Sequence, residues 1–138
     1  PFTTQHKSRF LNENDYKIYK LVQEKWFNER KQLMYDELPK YLIKHKNTST
    51  FKNRFKVVSG ENYCHTIVAH MKNDGHHYIY PDRNQVRSLT IREAARIQSF
   101  PDDFFFEGGQ MAAFAQIGNA VPPLMAEKIA KKIKSMIF

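Results

Sequence analysis

The sequence has 138 residues, 41% of them hydrophobic, and a formal net charge of +8. A chain of this size can bury one modest core, and it has no apolar run long enough to span a membrane. The first ten residues lack the apolar stretch of a secretory signal, and a single cysteine excludes an internal disulfide framework, so we expect a soluble protein of the reducing cytoplasm. Because the chain begins with Pro1 instead of methionine, we also expect a piece of a longer protein.

The first predicted element is an amphipathic helix over residues 13–35. Its apolar residues recur near one stripe, namely Tyr19, Val22, Trp26 and Leu33. This spacing favours a helix that faces a core. A second, short helix is expected from Leu38 or Pro39 to Lys44, and the turn signals at residues 47–50 mark the best internal boundary.

Positive charge is concentrated in the first half of the chain. Residues 1–60 hold 13 Lys and Arg against 6 Asp and Glu, whereas residues 61–138 hold 9 against 8. The densest stretch, KHKNTSTFKNRFK at 44–56, contains no acid and places Phe51 and Phe55 among the basic residues. Lysine and arginine displace counterions from a polyanion and aromatic rings stack on bases, so this pattern indicates nucleic-acid binding. A solvated basic loop is an equally open alternative. The candidate contacts in this stretch are Lys52, Arg54 and Lys56.

A small β meander is predicted next. FKVVSGENYCHTIVAH offers two short β-rich runs around a turn at residues 59–62, and HHYIYPD offers a third after the turn signal Asn73-Asp74-Gly75. Four histidines and the cysteine lie in this region, but their spacing fits no usual zinc site. Cys64 and His65 are adjacent and would point to opposite faces of a strand, so they are badly placed to act as a nucleophile and its base.

Three helices complete a predicted α+β fold, at residues 90–98, 110–117 and 122–137. The last helix has an apolar face, consisting of Met125, Ile129, Ile133, Met136 and Ile137, and a lysine-rich face. A packing stripe with a solvated basic face is favoured over a nucleic-acid helix.

The predicted helix at 90–98 has clear start and stop signals. Thr90 and Glu93 form a capping box, and Pro101 disfavours helix at the residue before it. So short a helix must dock on something larger. Arg92 and Arg96 lie one turn apart and could bind backbone carbonyls, carboxylates or phosphates.

The stretch QIGNAVPP at 116–123 predicts a tightly fixed connector between the last two helices. Gly118 can end one helix and Pro122-Pro123 can begin the next, which leaves Asn119, Ala120 and Val121 between them. Such a connector can present groups to a small ligand, although an ordinary helix–helix turn is also open.

RSLTIREAARIQSFPDDFFF followed by QIGNAVPPLMAEKIA resembles the ninth and tenth motifs of the cytosine-5 DNA methyltransferases, and CHTIVAH with DGHHYIYPD resembles the end of their target recognition region. The match runs from about Arg54 to Phe138. The family's glycine-rich cofactor motif, Pro-Cys nucleophile loop, Glu-Asn-Val motif and Gln-x-Arg-x-Arg motif are absent from this sequence. The resemblance therefore implies the C-terminal part of such an enzyme, with no catalytic residue of its own and no activity alone.

Members of this family flip cytosine out of the duplex, add a cysteine thiolate to ring carbon 6, transfer methyl from S-adenosyl-L-methionine to carbon 5, and eliminate. The resemblance implies phosphate contacts for Thr66 and Arg87, and it implies a cofactor-pocket role for Asn119, Ala120 and Val121 with Phe100 at the rim. The alternative for Thr66 is a plain strand residue, and the alternative for Arg87 is a surface ion pair. It also implies that Arg92, Glu93 and Arg96 fasten the ninth-motif helix instead of touching DNA.

The sequence thus predicts two parts, a helical segment with a basic linker at 1–50 and the methyltransferase segments at 51–138. The expected partners are double-stranded DNA and a missing N-terminal catalytic domain or subunit, in a restriction-linked or regulatory role, with neither metal nor membrane. A natural subunit of a split methyltransferase and a non-enzymatic DNA-binding module are the two alternatives.

Overall fold

The computed structural model describes residues 3–45 and 50–137. Four α-helices are present in this part of the chain: α1 at Glu13–Glu29, α2 at Ile91–Ile97, α3 at Gln110–Asn119 and α4 at Pro123–Ile137. Three short 3₁₀-helices lie between α1 and α2, at Tyr35–Glu37, Lys40–Leu42 and Ala69–Lys72. No helix among these residues is both long and apolar enough to cross a membrane.

The predicted α+β class is wrong, because the described residues contain no β-strand and no β meander. Only two isolated bridges form, a parallel one between Val57 and Ile79 and an antiparallel one between Ile79 and Ser88. The run around Thr66 leads into the Ala69–Lys72 3₁₀-helix and takes part in neither bridge. Local β propensity was overridden by packing, which is common for short β-rich runs.

The predicted helices are confirmed with shifted ends. The first helix stops at Glu29, six residues before the expected end, because Arg30 adopts a left-handed conformation with φ 56° and donates its N–H to the Trp26 carbonyl. The short helix expected before Lys44 is the 3₁₀-helix Lys40–Leu42. The internal boundary expected at residues 47–50 lies mostly outside the described residues, and so does Lys46 of the basic stretch.

The chain divides into two compact units. The first, here the C-terminal unit, comprises the described residues of 1–7, 66–73 and 90–138, and the second, here the α1 unit, comprises those of 8–65 and 74–89. The core of the α1 unit is formed by apolar residues of α1 and of the segments that follow it: Ile18, Tyr19, Val22, Tyr35, Leu38, Leu42, Phe55, Val57 and Ile79.

Two buried polar side chains of α1 fix the loop at 74–85 in the α1 unit. The Tyr19 hydroxyl lies 3.0 Å from His76 Nδ1. Gln23 Nε2 lies 2.7–3.0 Å from the carbonyls of Tyr80, Asp82 and Gln85. Buried polar groups need such partners, so α1 orders this loop as well as burying apolar surface.

Candidate functional site

The helix α2 is fixed by the capping box and by Arg92. Thr90 Oγ1 accepts from the Glu93 N–H at 3.2 Å, and Glu93 Oε2 accepts from the Thr90 N–H at 2.8 Å. Arg92 is fully buried, and it donates to the carbonyls of Pro101 and Phe104 at 3.0 and 2.7 Å. Arg96 forms a two-bond ion pair with Asp102 on the exposed side. The prediction that these residues fasten the helix through carbonyls and ion pairs is confirmed.

A segment near the start of the chain completes this arrangement, and sequence reasoning missed it. Arg92 also donates to the Thr4 carbonyl at 3.3 Å and to Thr4 Oγ1 at 3.2 Å. The Gln5 side chain exchanges two hydrogen bonds with the Phe106 backbone, at 2.8 and 3.1 Å. Residues about a hundred positions apart are therefore joined within the C-terminal unit, a pairing for which local sequence carries no signal.

The connector between α3 and α4 starts later than the sequence predicts, because Gly118 lies inside α3 without a positive φ and does not end the helix. α3 ends at Asn119, and the Ala120 N–H donates to the Ile117 carbonyl at 3.3 Å. Asn119 and Val121 are exposed, whereas Ala120 is half-buried. The Asn119 side chain makes no hydrogen bond to any described residue, so its amide is available to a ligand.

Phe100 lies in an aromatic cluster and directly follows two residues that hydrogen-bond to the ends of α3 and α4. Its ring centroid is 5.0 Å from those of both Phe104 and Phe106, at tilted and edge-on angles that aromatic pairs favour. The two residues before Phe100 hold the ends of the connector. Gln98 donates to the Ile117 carbonyl at 3.1 Å, and Ser99 Oγ accepts from the Leu124 N–H at 3.1 Å. The predicted cofactor residues thus lie on segments that hydrogen bonds tie together.

The candidate DNA contacts fall in both units. Thr66, in the C-terminal unit, is exposed at the start of the segment that leads to the Ala69–Lys72 3₁₀-helix. Arg87, in the α1 unit, is half-buried with its guanidinium carbon 3.6 Å from the Tyr80 ring centroid. It donates to Gln85 Oε1 and to the Ser88 carbonyl. This stacking holds the Arg87 charge in one orientation.

The basic stretch is less uniform than its sequence indicates. Lys52 forms an exposed ion pair with Asp36 at 2.6 Å. Arg54 is half-buried, with its guanidinium carbon 4.8 Å from the Tyr35 ring centroid, and Lys56 is also half-buried. Of the two phenylalanines, Phe55 is a core residue, whereas Phe51 is 76% exposed. Only Phe51 is therefore placed to stack on a base.

Cys64 has none of the features of an activated nucleophile. Burial raises the pKa of its thiol to about 11, and its Sγ donates to the His65 carbonyl at 3.0 Å. Burial also lowers the pKa of His65, whose Nε2 lies 2.6 Å from the His77 carbonyl. No group of three potential metal ligands occurs among residues 3–45 and 50–137. A reactive thiolate needs a lowered pKa, so Cys64 is not suited to act as a nucleophile.

Several known proteins share sequence with this chain. The profile of the family described as C-5 cytosine-specific DNA methylase matches residues 3–135. The type II methyltransferase M.Bpa9945I of Bacillus paralicheniformis is 48% identical over 134 residues, which are 97% of this chain and 30% of that protein. The DNA (cytosine-5-)-methyltransferase M.ApeKI of Aeropyrum pernix is 45% identical over 73 residues, 53% of this chain and 15% of that protein.

The putative type II methyltransferase M.OihORF3336P of Oceanobacillus iheyensis is 45% identical over 91 residues, 66% of this chain and 19% of that protein. The chain thus spans less than a third of the length of these relatives. No solved structure matches it significantly. Because the family profile covers nearly all of its residues, the chain belongs to the C-5 cytosine-specific DNA methylase family.

Proposed function

We propose that this chain is the C-terminal part of a DNA (cytosine-5-)-methyltransferase, which transfers methyl from S-adenosyl-L-methionine to carbon 5 of cytosine in double-stranded DNA. The observation that carries the proposal is the family match over residues 3–135. The names of the relatives, which include type II methyltransferases, support a role in restriction-modification, and we propose the cytoplasm as its compartment. The free thiol of Cys64 is compatible with that compartment.

The connector after α3 and the Phe100 cluster fit a part of the cofactor pocket. S-adenosyl-L-methionine supplies the methyl group and carries an adenine, a ribose and an amino acid. The exposed Asn119 amide can donate to and accept from such groups, and the exposed Val121 side chain can cover an apolar edge. Half-buried Phe100 offers an aromatic edge at the segment that anchors the connector. Concave cofactor sites combine apolar walls with a few placed polar groups in this way.

We propose that the chain contacts the sugar–phosphate backbone of DNA. The Thr66 hydroxyl, the stacked Arg87 and the basic residues Lys52, Arg54 and Lys56 contact phosphates, which fixes the register of the duplex without reading its sequence. The excess of positive charge in residues 1–60 supports this role, since phosphate neutralisation is the main source of affinity for DNA.

α4 supports the view that a further catalytic part packs against this chain. None of its described residues is buried, although its apolar side chains form a stripe along the helix: Leu124, Met125, Ile129, Ile133, Met136 and Ile137, each 46–73% exposed. Monomeric proteins rarely expose a contiguous apolar surface of this kind. We propose that this stripe packs on the catalytic domain, which also supplies the nucleophilic cysteine.

The test compares the full-length protein that carries this chain with the chain alone. Full-length protein should transfer labelled methyl from S-adenosyl-L-methionine to unmethylated duplex DNA. The chain alone should transfer none, because its sequence contains no Pro-Cys nucleophile loop. Full-length protein that binds DNA without methylating it would contradict the proposal and favour a DNA-binding module. Methyl transfer by the chain alone would contradict the assignment of the catalytic groups to another part.

A further inference from the structure

One glycine packs the segment proposed to bind the cofactor closely against the segment proposed to bind DNA. A Cβ atom added at Gly118 would lie 2.6 Å from the Val68 carbonyl oxygen and 2.7 Å from both N and Cα of Ala69. Favourable contacts between non-bonded atoms begin at about 3.5 Å. All three close atoms belong to the backbone, so no side-chain rotation can relieve the overlap. Only glycine allows α3 to approach residues 68–69 this closely.

Both sides of this contact are held firmly within the C-terminal unit. On one side, Ile117 is fully buried and its carbonyl accepts from Gln98. On the other side, the Val68 carbonyl accepts from the Met71 N–H at 3.0 Å, which is the first hydrogen bond of the Ala69–Lys72 3₁₀-helix, and Met71 is buried. A displacement of Val68 would therefore disturb the start of that 3₁₀-helix.

The contact lies next to both proposed binding segments. Asn119, the exposed last residue of α3, directly follows Gly118. Thr66, the proposed phosphate contact, lies two residues before Val68, with the buried Ile67 between them. A shift of the connector by a ligand is thus transmitted through backbone atoms in contact, because packed interiors deform little.

We infer that Gly118 is a positioning residue that couples binding of S-adenosyl-L-methionine to binding of DNA through its contact with Val68 and Ala69. This inference rests on the proposed function. Coupling is reciprocal, so the cofactor strengthens DNA binding by the same factor as DNA strengthens cofactor binding. A coupling of about tenfold would be ordinary for two sites that share a structural element.

The experiment measures this factor in the full-length protein that carries the chain. S-adenosyl-L-homocysteine replaces the methyl donor to prevent turnover, and its dissociation constant is measured with and without sheared unmethylated duplex DNA. Gly118→Ala should reduce the coupling factor from about tenfold towards one. The matched control is Gly109→Ala at the start of α3, where an added Cβ meets no atom within 4 Å and the coupling factor should be unchanged.

A second measurement needs no substitution and decides the matter if Gly118→Ala does not fold. In the wild-type protein, S-adenosyl-L-homocysteine should slow amide hydrogen exchange at Met71, whose N–H bonds to the Val68 carbonyl. Unchanged coupling in a folded Gly118→Ala protein, or unchanged exchange at residues 66–73, would overturn the inference. Failure of the wild-type protein to bind either ligand would instead overturn the proposed function.

Discussion

Arg92 gives the strongest test of what stabilises the C-terminal unit. Arg92→Ala removes four hydrogen bonds from a fully buried guanidinium, two to Thr4 and one each to Pro101 and Phe104. A hydrogen bond to a charged group contributes about 1.5–3 kcal/mol. Pro101 and Phe104 are exposed, so water can solvate their carbonyls after the substitution. We therefore count the two bonds to Thr4, at the lower end of that range because they are 3.3 and 3.2 Å long, and expect the free energy of unfolding to fall by about 3 kcal/mol.

The assay is urea unfolding of the chain followed by far-ultraviolet circular dichroism. The matched control is Arg96→Ala, one turn later on α2, whose ion pair with Asp102 is exposed at 47% and 57% of the two side chains. Solvent screens such pairs, so this control should change the urea midpoint little. Equal midpoints for Arg92→Ala and Arg96→Ala would refute the reasoning, because burial would then have no energetic consequence at this site.

Three further predictions concern ligand binding and reactivity. In the full-length protein, Asn119→Ala should weaken binding of S-adenosyl-L-methionine by about 1–2 kcal/mol in calorimetric titration and leave the melting temperature unchanged; the reverse outcome would make Asn119 a scaffold residue. Substituting glutamine for Lys52, Arg54 and Lys56 should weaken DNA binding. The slope of log affinity against log salt concentration should become shallower by about one for each phosphate that is no longer neutralised. An unchanged slope would mean that these residues are solvated and do not contact DNA. Because only the thiolate reacts, Cys64 should be alkylated roughly a hundredfold more slowly than a free cysteine near pH 8. Its reactivity should rise as the pH approaches its pKa of about 11. Fast alkylation of the folded chain near pH 8 would show that burial does not raise the pKa of this thiol.

The parts of the fold that local signals specify could be predicted from the sequence. The Thr90 and Glu93 capping box set the start of α2, and Pro122-Pro123 set the start of α4 at Pro123. These signals act within one helical turn, so distant residues do not change them. The end of α1 was predicted less well, because Arg30 ends the helix in a left-handed conformation that its side chain does not announce.

The predicted β meander was wrong because strand pairing depends on residues far away in the chain. Ile79 bridges both Val57 and Ser88, but neither bridge extends into a ladder. Gly75 contributes to this arrangement, since a Cβ added there would lie 2.3 Å from Ser88 Cβ, and the turn at 73–75 therefore serves close packing instead of a hairpin. Propensity describes how a residue fits a pleated surface, and it cannot tell whether that surface forms.

The residues of the candidate site stay a prediction, whereas the contacts that support them could not be predicted from the sequence. Asn119, Ala120 and Val121 came from a motif, whereas the bonds that anchor them come from Gln98 and Ser99. Their partners lie 19 and 25 residues away, which is beyond any local pattern. The close approach at Gly118 was likewise invisible, because a glycine before a connector already has an adequate explanation as a helix end.

Identification of the methylated base distinguishes cytosine-5 methylation from every other methyl transfer to DNA. Unmethylated duplex DNA is incubated with the full-length protein and S-adenosyl-L-methionine, digested to nucleosides and examined by mass spectrometry against authentic standards. We expect 5-methylcytosine as the modified base, and we expect none when the chain alone is used. Methyl groups found only on an exocyclic nitrogen, or no methylated base in DNA that the protein binds together with the cofactor, would contradict it.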